Sequence, residues 1–325
     1  MVKPREHGGN LDAARAVYGD GDWIDLSTGI NRRPYPLPAL PAEVWTALPT
    51  AEARTRLIAA AAAAYGVAAA ALLPVAGAQA AIQLYPRLRK PGHARILTPT
   101  YNEHAASLRS QGWQVSEVST LAGLAGADLA VVVNPNNPDG QAHDPAVLRA
   151  LAGDTGLLVV DESFADPCPE LSLAPEACET LLVLRSFGKF YGLAGVRLGF
   201  LLGGAADLNA LAEMAGPWAV SGPALEIGAA ALADRHWAAQ TTRRLGDDAA
   251  RLDALAARAG WSLVGGTALF RTYATQDAEQ AQETLARHHI WSRCFAHDAG
   301  WIRLGLPDGA DWPRVAAALA AISAR

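Results

Sequence analysis

Short, almost wholly apolar runs punctuate the middle of the chain, and each closes on polar or turn-forming residues. "RILTP" (95–99), "LAVVVNP" (129–135), "LLVVDE" (157–162), "TLLVLRS" (180–186) and "RLGFLLG" (197–203) have the length and Val/Leu content of buried strands. Between them the apolar residues recur at helical spacing, as in "AAIQLYPRLRK", "EHAASLRSQG" and "PAVLRALAGD". Strands alternating with helices predict an α/β fold, a mostly parallel sheet flanked by helices. The stretch "LIAAAAAAYGVAAAALLPVAGAQAA" (57–81) reads as an Ala-rich helix, a loop and the start of another helix. Alanine is only weakly apolar, so this window argues against a membrane span.

The pattern changes on both sides of this region. Residues 1–45 are rich in turn formers, and "NRRPYPLPALP" carries four prolines, which predicts an extended arm. Beyond Gly204 a long helix-biased stretch runs to about Gly260. Strand-like "SLVGGTALFRTYA", helix-like "AEQAQETLARHH", strand-like "WIRLGLP" and a terminal helix "WPRVAAALAAISAR" follow. The expected organisation is an N-terminal arm (1–45) belonging to a smaller domain, a large domain (46–205), and a helical connection leading to an α+β small domain (206–325).

Composition narrows the function classes. Of 325 residues 51% are hydrophobic, enough for a sizeable core. The net charge of −5 comes without any basic block or stripe, which speaks against nucleic-acid or membrane-surface partners. Cys168, Cys178 and Cys294 are too few and too scattered for a disulfide framework or a zinc site, and no His/Cys/Asp spacing suggests another metal. "MVKPREHGGN" has no apolar signal-peptide core, so a cytoplasmic setting is expected.

In open α/β sheets ligands bind beyond the carboxyl ends of the strands, so the strand ends hold the candidate chemistry. "LLVVDE" drives an apolar strand into Asp161 and Glu162, and a buried carboxylate needs a cation or donors. "LRSFGKFYGLAGVRLGF" (184–200) sets Lys189 among aromatics and glycines, where desolvation would make it a nucleophile; the plainer reading is a snorkelling loop lysine. "VVVNPNNPDG" (131–140) is an ordinary turn or a set of amides aimed at a ligand oxygen. "PVAGAQAAIQLY" (74–85) starts a helix behind Gly77, a common βα feature that also suits a phosphate. With Ser186 and Arg197 as further anion ligands, these parts make up what pyridoxal phosphate requires: a lysine, an acid for the pyridine nitrogen, and donors for the phosphate.

The motifs "NPNNPDG", "DES" and "SFGKFYGLAGVRLGF" occur in the order and at the spacings of the fold-type I pyridoxal-phosphate enzymes, and the chain resembles the class I/II aminotransferase superfamily over essentially its whole length. Within it the chain is most similar to the histidinol-phosphate aminotransferase branch, and more narrowly to the L-threonine-O-3-phosphate decarboxylases of cobalamin synthesis. "HGGN" (7–10), "LSTGINRRPYP" (26–36) and "WIRLGLP" (301–307) carry that narrower likeness. The resemblance implies Lys189 as the lysine that bonds the cofactor, Asp161 at its pyridine nitrogen and Asn137 at its phenolic oxygen. It implies Gly77, Ala78, Gln79, Ser186 and Arg197 at the cofactor phosphate and Tyr101 stacked on its ring. His7, Asn31 and Arg303 would meet a small phosphorylated amino-acid substrate, with Arg32 or Arg33 completing the anion handle. A homodimer is implied as well.

Two positions depart from the superfamily pattern. Phe164 stands where a tyrosine usually donates to the phenolic oxygen, and Leu48 stands where a tyrosine usually reaches the neighbouring subunit's cofactor. Three functions stay open from sequence: the decarboxylase, a histidinol-phosphate or related aminotransferase, and a non-catalytic binding protein of this fold. Joint retention of Lys189, Asp161, Asn137 and Arg197 weighs against the last. Glu162 is expected to be structural, paired or capping at its strand end, and His288–His289 to form a solvated helix end.

Overall fold

A computed structural model describes residues 7–323. Its strands, in chain order, are β1 (Ile24–Asp25), β2 (Leu72–Val75), β3 (His93–Leu97), β4 (Gln114–Val118), β5 (Leu129–Val133), β6 (Leu158–Asp161), β7 (Leu181–Ser186), β8 (Gly199–Leu202), β9 (Ser262–Thr267), β10 (Phe270–Ala274), β11 (Ile290–Trp291), β12 (Arg293–Phe295) and β13 (Asp298–Gly305). The chain divides into two units. The larger comprises Tyr35–Asn137 and Gln141–Ala238; the smaller comprises, of the described residues, 7–34, Pro138–Gly140 and 239–323.

The larger unit is built on a seven-stranded sheet in the order β2-β8-β7-β6-β5-β3-β4. Strand β8 runs antiparallel to both its neighbours, and the remaining pairings are parallel. The central runs have side chains covered on both faces: every residue of β5 and β6 is buried. That is why they read as continuous apolar stretches and not as alternating ones. Each fully buried Leu or Val contributes about 1.5–3 kcal/mol, so this centre holds the unit together. The helix Ala51–Tyr65 is capped by Thr50, whose side chain accepts from the Ala53 amide at 3.1 Å, and it ends at left-handed Gly66. It packs against Gly222–Ala233, where the missing side chain of Gly228 makes room for Leu57 and Leu198.

The smaller unit holds an antiparallel sheet, β12-β13-β10-β9, and a separate parallel pair, β1-β11. The helices Leu11–Tyr18, Ala278–Arg287 and Trp312–Ser323 belong to it. Ala14, Trp23 and Ala286 form a small apolar cluster there with Leu11, Tyr18 and Trp291.

The fold class agrees with the sequence expectation, and several elements differ. The window 57–81 holds a strand, β2, that the alanine context and Pro74 obscure; a proline is tolerated because β2 is an edge strand. β4 is the other edge, and its exposed residues carry no apolar signature. The N-terminal stretch is not wholly extended: Leu11–Tyr18 is helical, with Asn10 accepting from the Ala13 amide. The unit boundaries fall at other places than the expected 45/46 and 205/206. Tyr35 packs on Tyr191 and Trp237, which places the proline-rich stretch with the larger unit, and Ala205–Ala215 packs on β2. His289 is no solvated turn residue; its ring lies 5.1 Å from that of Trp23. Glu162 is paired with Arg185, as expected. No described helix is long and apolar enough to cross a membrane.

Candidate active site

Asp161 is the last residue of β6 and is 3% exposed. Its carboxylate accepts from His104 Nε2 at 3.0 Å and from the Ser163 amide at 2.9 Å, with the Ser163 hydroxyl as a further donor. His104 Nδ1 lies 3.0 Å from the hydroxyl of Tyr85. Burial and the charge of Asp161 push the Tyr85 pKa well up, so Tyr85 stays a phenol. Burial alone would raise the Asp161 pKa. The His104 hydrogen bond and charge, with the two Ser163 bonds, outweigh it and hold the carboxyl below its usual value.

The neighbouring acids form a different cluster. Arg185 donates to Glu162 at 2.8 Å and to Asp166 at 2.7 Å, and its guanidinium lies 4.6 Å from the ring centre of Tyr65. Burial pushes both carboxyl pKa values up, against the pull of Arg185. This trio ties β6 to β7 and fixes the loop that carries Phe164.

Lys189 sits in the short helix Phe187–Phe190 that follows β7, with its Nζ 5.6 Å from the ring centre of Phe164. The residues expected at a phosphate gather in one place. Ser186 pairs with Gly199 across β7 and β8. A Cβ on Gly199 would fall 2.5 Å from the Ala78 amide nitrogen, and one on Gly77 would fall 2.9 Å from the Arg197 guanidinium. Gly77, at φ +82, therefore starts the helix Ala78–Leu84 under the side chain of Arg197. Gln79 accepts from the Tyr101 hydroxyl at 3.3 Å and donates to Glu103 at 3.2 Å. The Tyr101 ring stands edge-on to His104 at 6.2 Å. The Asn turn is tied to the same strand end, because the Asn134 amide donates to the Asp161 carbonyl at 2.9 Å. Asn136 accepts from Thr100 at 2.7 Å and donates to the Pro99 carbonyl at 2.9 Å, and Asn137 follows it.

In the smaller unit Arg303 lies on β13 and is 4% exposed. It donates to the Ser27 carbonyl at 2.7 Å and lies 5.0 Å from the ring centre of Phe270. Arg293 is its direct partner across β12 and β13. Burial and the charge of Arg293 drive the Arg303 pKa down, with Asp25 opposing. His7 is exposed, and the next residue, Gly8, packs on the Ser27 carbonyl that Arg303 meets. Asn31 is buried and accepts from Arg244 at 2.9 Å and from the Arg33 amide at 3.0 Å. Of the two arginines expected at an anion handle, Arg32 pairs with Asp311 at 2.9 Å, and Arg33 pairs with Asp308.

Sequence reading missed His104, Tyr85, Arg244 and Arg293. "TYNEH" carries His104 three residues after Tyr101, and nothing local says that it would meet Asp161.

A family model for aminotransferase class I and II matches residues 23–319. The chain is 46% identical over 327 residues to a threonine-phosphate decarboxylase of Pseudomonas aeruginosa, covering 97% of each. It is 44% identical over 334 residues to one from a Sinorhizobium species, covering 98% of this chain and 99% of that protein. A solved histidinol-phosphate aminotransferase from Sinorhizobium meliloti, in complex with pyridoxal-5'-phosphate, superposes with a TM-score of 0.83 at 21% identity, over 99% of this chain and 96% of that one. The last likeness is one of fold; the matched family model, the two near full-length relatives and the fold together mean that the chain belongs to the aminotransferase class I and II family.

Proposed function

We propose that the chain is a pyridoxal-phosphate-dependent carboxy-lyase that converts L-threonine O-3-phosphate into (R)-1-amino-2-propanol O-2-phosphate, for cobalamin synthesis. The observation that carries this reading is the near full-length identity to threonine-phosphate decarboxylases. The geometry supports the cofactor. A strand-end acid is kept ionised by donors, and a glycine-floored cradle sits under Arg197.

When bound, pyridoxal phosphate supplies an electron sink conjugated to the substrate Cα. Asp161 keeps the cofactor's ring nitrogen protonated, with His104 and Tyr85 orienting the acid. Ser186, Arg197 and the Gly77–Ala78–Gln79 helix start hold its phosphate. Tyr101 covers the ring, and Asn137 donates to the phenolic oxygen, where Phe164 offers no hydroxyl. Lys189 would be the amine that holds the cofactor and the group placed to return a proton to the substrate Cα. Arg303, beside Arg293, takes one anionic group of the substrate, and Asn31 with His7 the other. Contacts at both anionic groups would orient the substrate for loss of its carboxylate.

The test is product analysis. L-Threonine O-3-phosphate should release CO2 with no keto-acid acceptor. Glutamate formed from histidinol phosphate and 2-oxoglutarate, without that release, overturns the reading in favour of the aminotransferase.

We also infer a homodimer in the cytoplasm. Leu37, Trp45, Leu48 and Trp218 are all more than half exposed in the larger unit and supply apolar surface for a second copy. Light scattering should return twice the chain mass, and a monomer at all concentrations refutes it.

A further inference from the structure

The turn after β5 is divided between the two units: Pro138–Gly140 belongs to the smaller, while Asn137 and Gln141 on either side belong to the larger. What holds Pro138–Gly140 is the sheet of the smaller unit. Thr272, fully buried in β10, donates from its hydroxyl to the Pro138 carbonyl. A Cβ on Gly140 would fall 2.3 Å from the Gly266 backbone, and one on Gly265 would fall 2.1 Å from the Asp139 carbonyl oxygen. Backbone therefore lies directly on backbone, at a separation that only glycine allows. Thr272 also stands at a junction of the sheet. Its partner on β13 is Arg303, and its partner on β9 is Gly265, next to a register shift between Thr272 and Tyr273.

We propose that Thr272 is a positioning residue for Asn137, coupling the strand that carries the substrate-binding Arg303 to the side chain that donates to the cofactor's phenolic oxygen. The proposal rests on the assignment of Asn137 made under the proposed function. The path is short: Arg303 and Thr272 are cross-strand partners, Thr272 holds the Pro138 carbonyl, and the Pro138 nitrogen is bonded to Asn137. The ring of Pro138 locks its φ, so a Pro138 carbonyl fixed by a buried donor leaves only the ψ of Pro138 free between it and the peptide to Asn137. Without the hydroxyl, the turn keeps its glycine contacts and loses the bond that fixes its rotation.

The readout is a pH titration of the holoenzyme's visible band. A donor on the phenolic oxygen draws off negative charge that otherwise holds the proton on the Lys189 nitrogen, so a weaker donor raises the midpoint. Thr272→Val should raise it by about half a unit, the size of a weakened hydrogen bond. Thr272→Ser should restore it. Thr272→Ala, which adds no volume, gives the same readout if the valine variant does not fold. In an Asn137→Ala background the same substitution should add nothing. An unchanged midpoint in Thr272→Val and Thr272→Ala, or an equal further shift in the Asn137→Ala background, overturns the coupling alone. Absence of any borohydride-sensitive band in the unmutated protein overturns the cofactor assignment and the coupling together.

Discussion

In the larger unit the buried carboxylate of Asp161 accepts from His104 and Ser163, and its surroundings favour the charged form. In the smaller unit the buried guanidinium of Arg303 lies across from Arg293, and its surroundings disfavour the charged form. Both are less than 5% exposed, so burial is common to them and the neighbours make the difference. The acid is met by donors of the protein itself. The arginine sits where burial and a like charge oppose its own. The lesson is that the neighbours, and not burial alone, decide which form of a buried group is favoured.

The largest expected effects separate the two regions kinetically. Asp161→Ala should lower kcat by about 10²–10³-fold, as loss of a charge aimed at the reacting system does. Arg303→Met should instead act mainly on KM for L-threonine O-3-phosphate, raising it roughly 30-fold or more. Steady-state kinetics at saturating cofactor decides this, and the contrast breaks if both variants change the same parameter.

Stability should divide them with opposite sign. Asp161→Ala leaves buried donors on His104 and Ser163 unanswered, which costs about 1–3 kcal/mol. Arg303→Met removes a buried charge that its surroundings disfavour, and it should leave Tm unchanged or raise it by roughly 2–4 °C. Thermal unfolding of cofactor-free protein measures both. The pH dependence sharpens the first. The Asp161 pKa is depressed on folding, so its contribution is present above the ordinary carboxylate pKa and is lost as pH falls through the lower folded value. The stability gap between the unmutated protein and Asp161→Asn should therefore narrow below about pH 4.

The smallest effect tests the cradle itself. Phe164→Tyr would place a hydroxyl beside Lys189, whose ammonium lies 5.6 Å from the Phe164 ring centre. The midpoint of the holoenzyme's spectral titration should fall by a few tenths of a unit or more, as a second donor reaches the phenolic oxygen. A midpoint that rises or stays put would mean that residue 164 does not face that oxygen.

The candidate site residues were legible in the chain because they stand in short segments. Asp161 closes an apolar strand, and Lys189 and Arg197 flank one glycine-rich loop. His104 was not legible: it meets Asp161 from 57 residues away, and no periodicity joins them. The pairings of Arg32 and Arg33 were not legible for the same reason. They sit beside Asn31, while their partners Asp311 and Asp308 lie 279 and 275 residues on. β2 was missed because its apolar run is embedded in an alanine-rich window and broken by Pro74, and β4 because its exposed edge carries no apolar signature.

By itself the sequence determined the α/β class and the positions of the central strands, and it singled out Lys189, Asp161 and Arg197 as candidates for a cofactor cradle. These depend on local periodicity and on residues a few positions apart. The tertiary structure alone decided how each charge is treated. It set His104 behind Asp161, spent Arg32 and Arg33 on acids, and laid Arg303 across from Arg293. A charge's energy depends on what surrounds it in space, and chain-distant neighbours are assigned only when the strands pair.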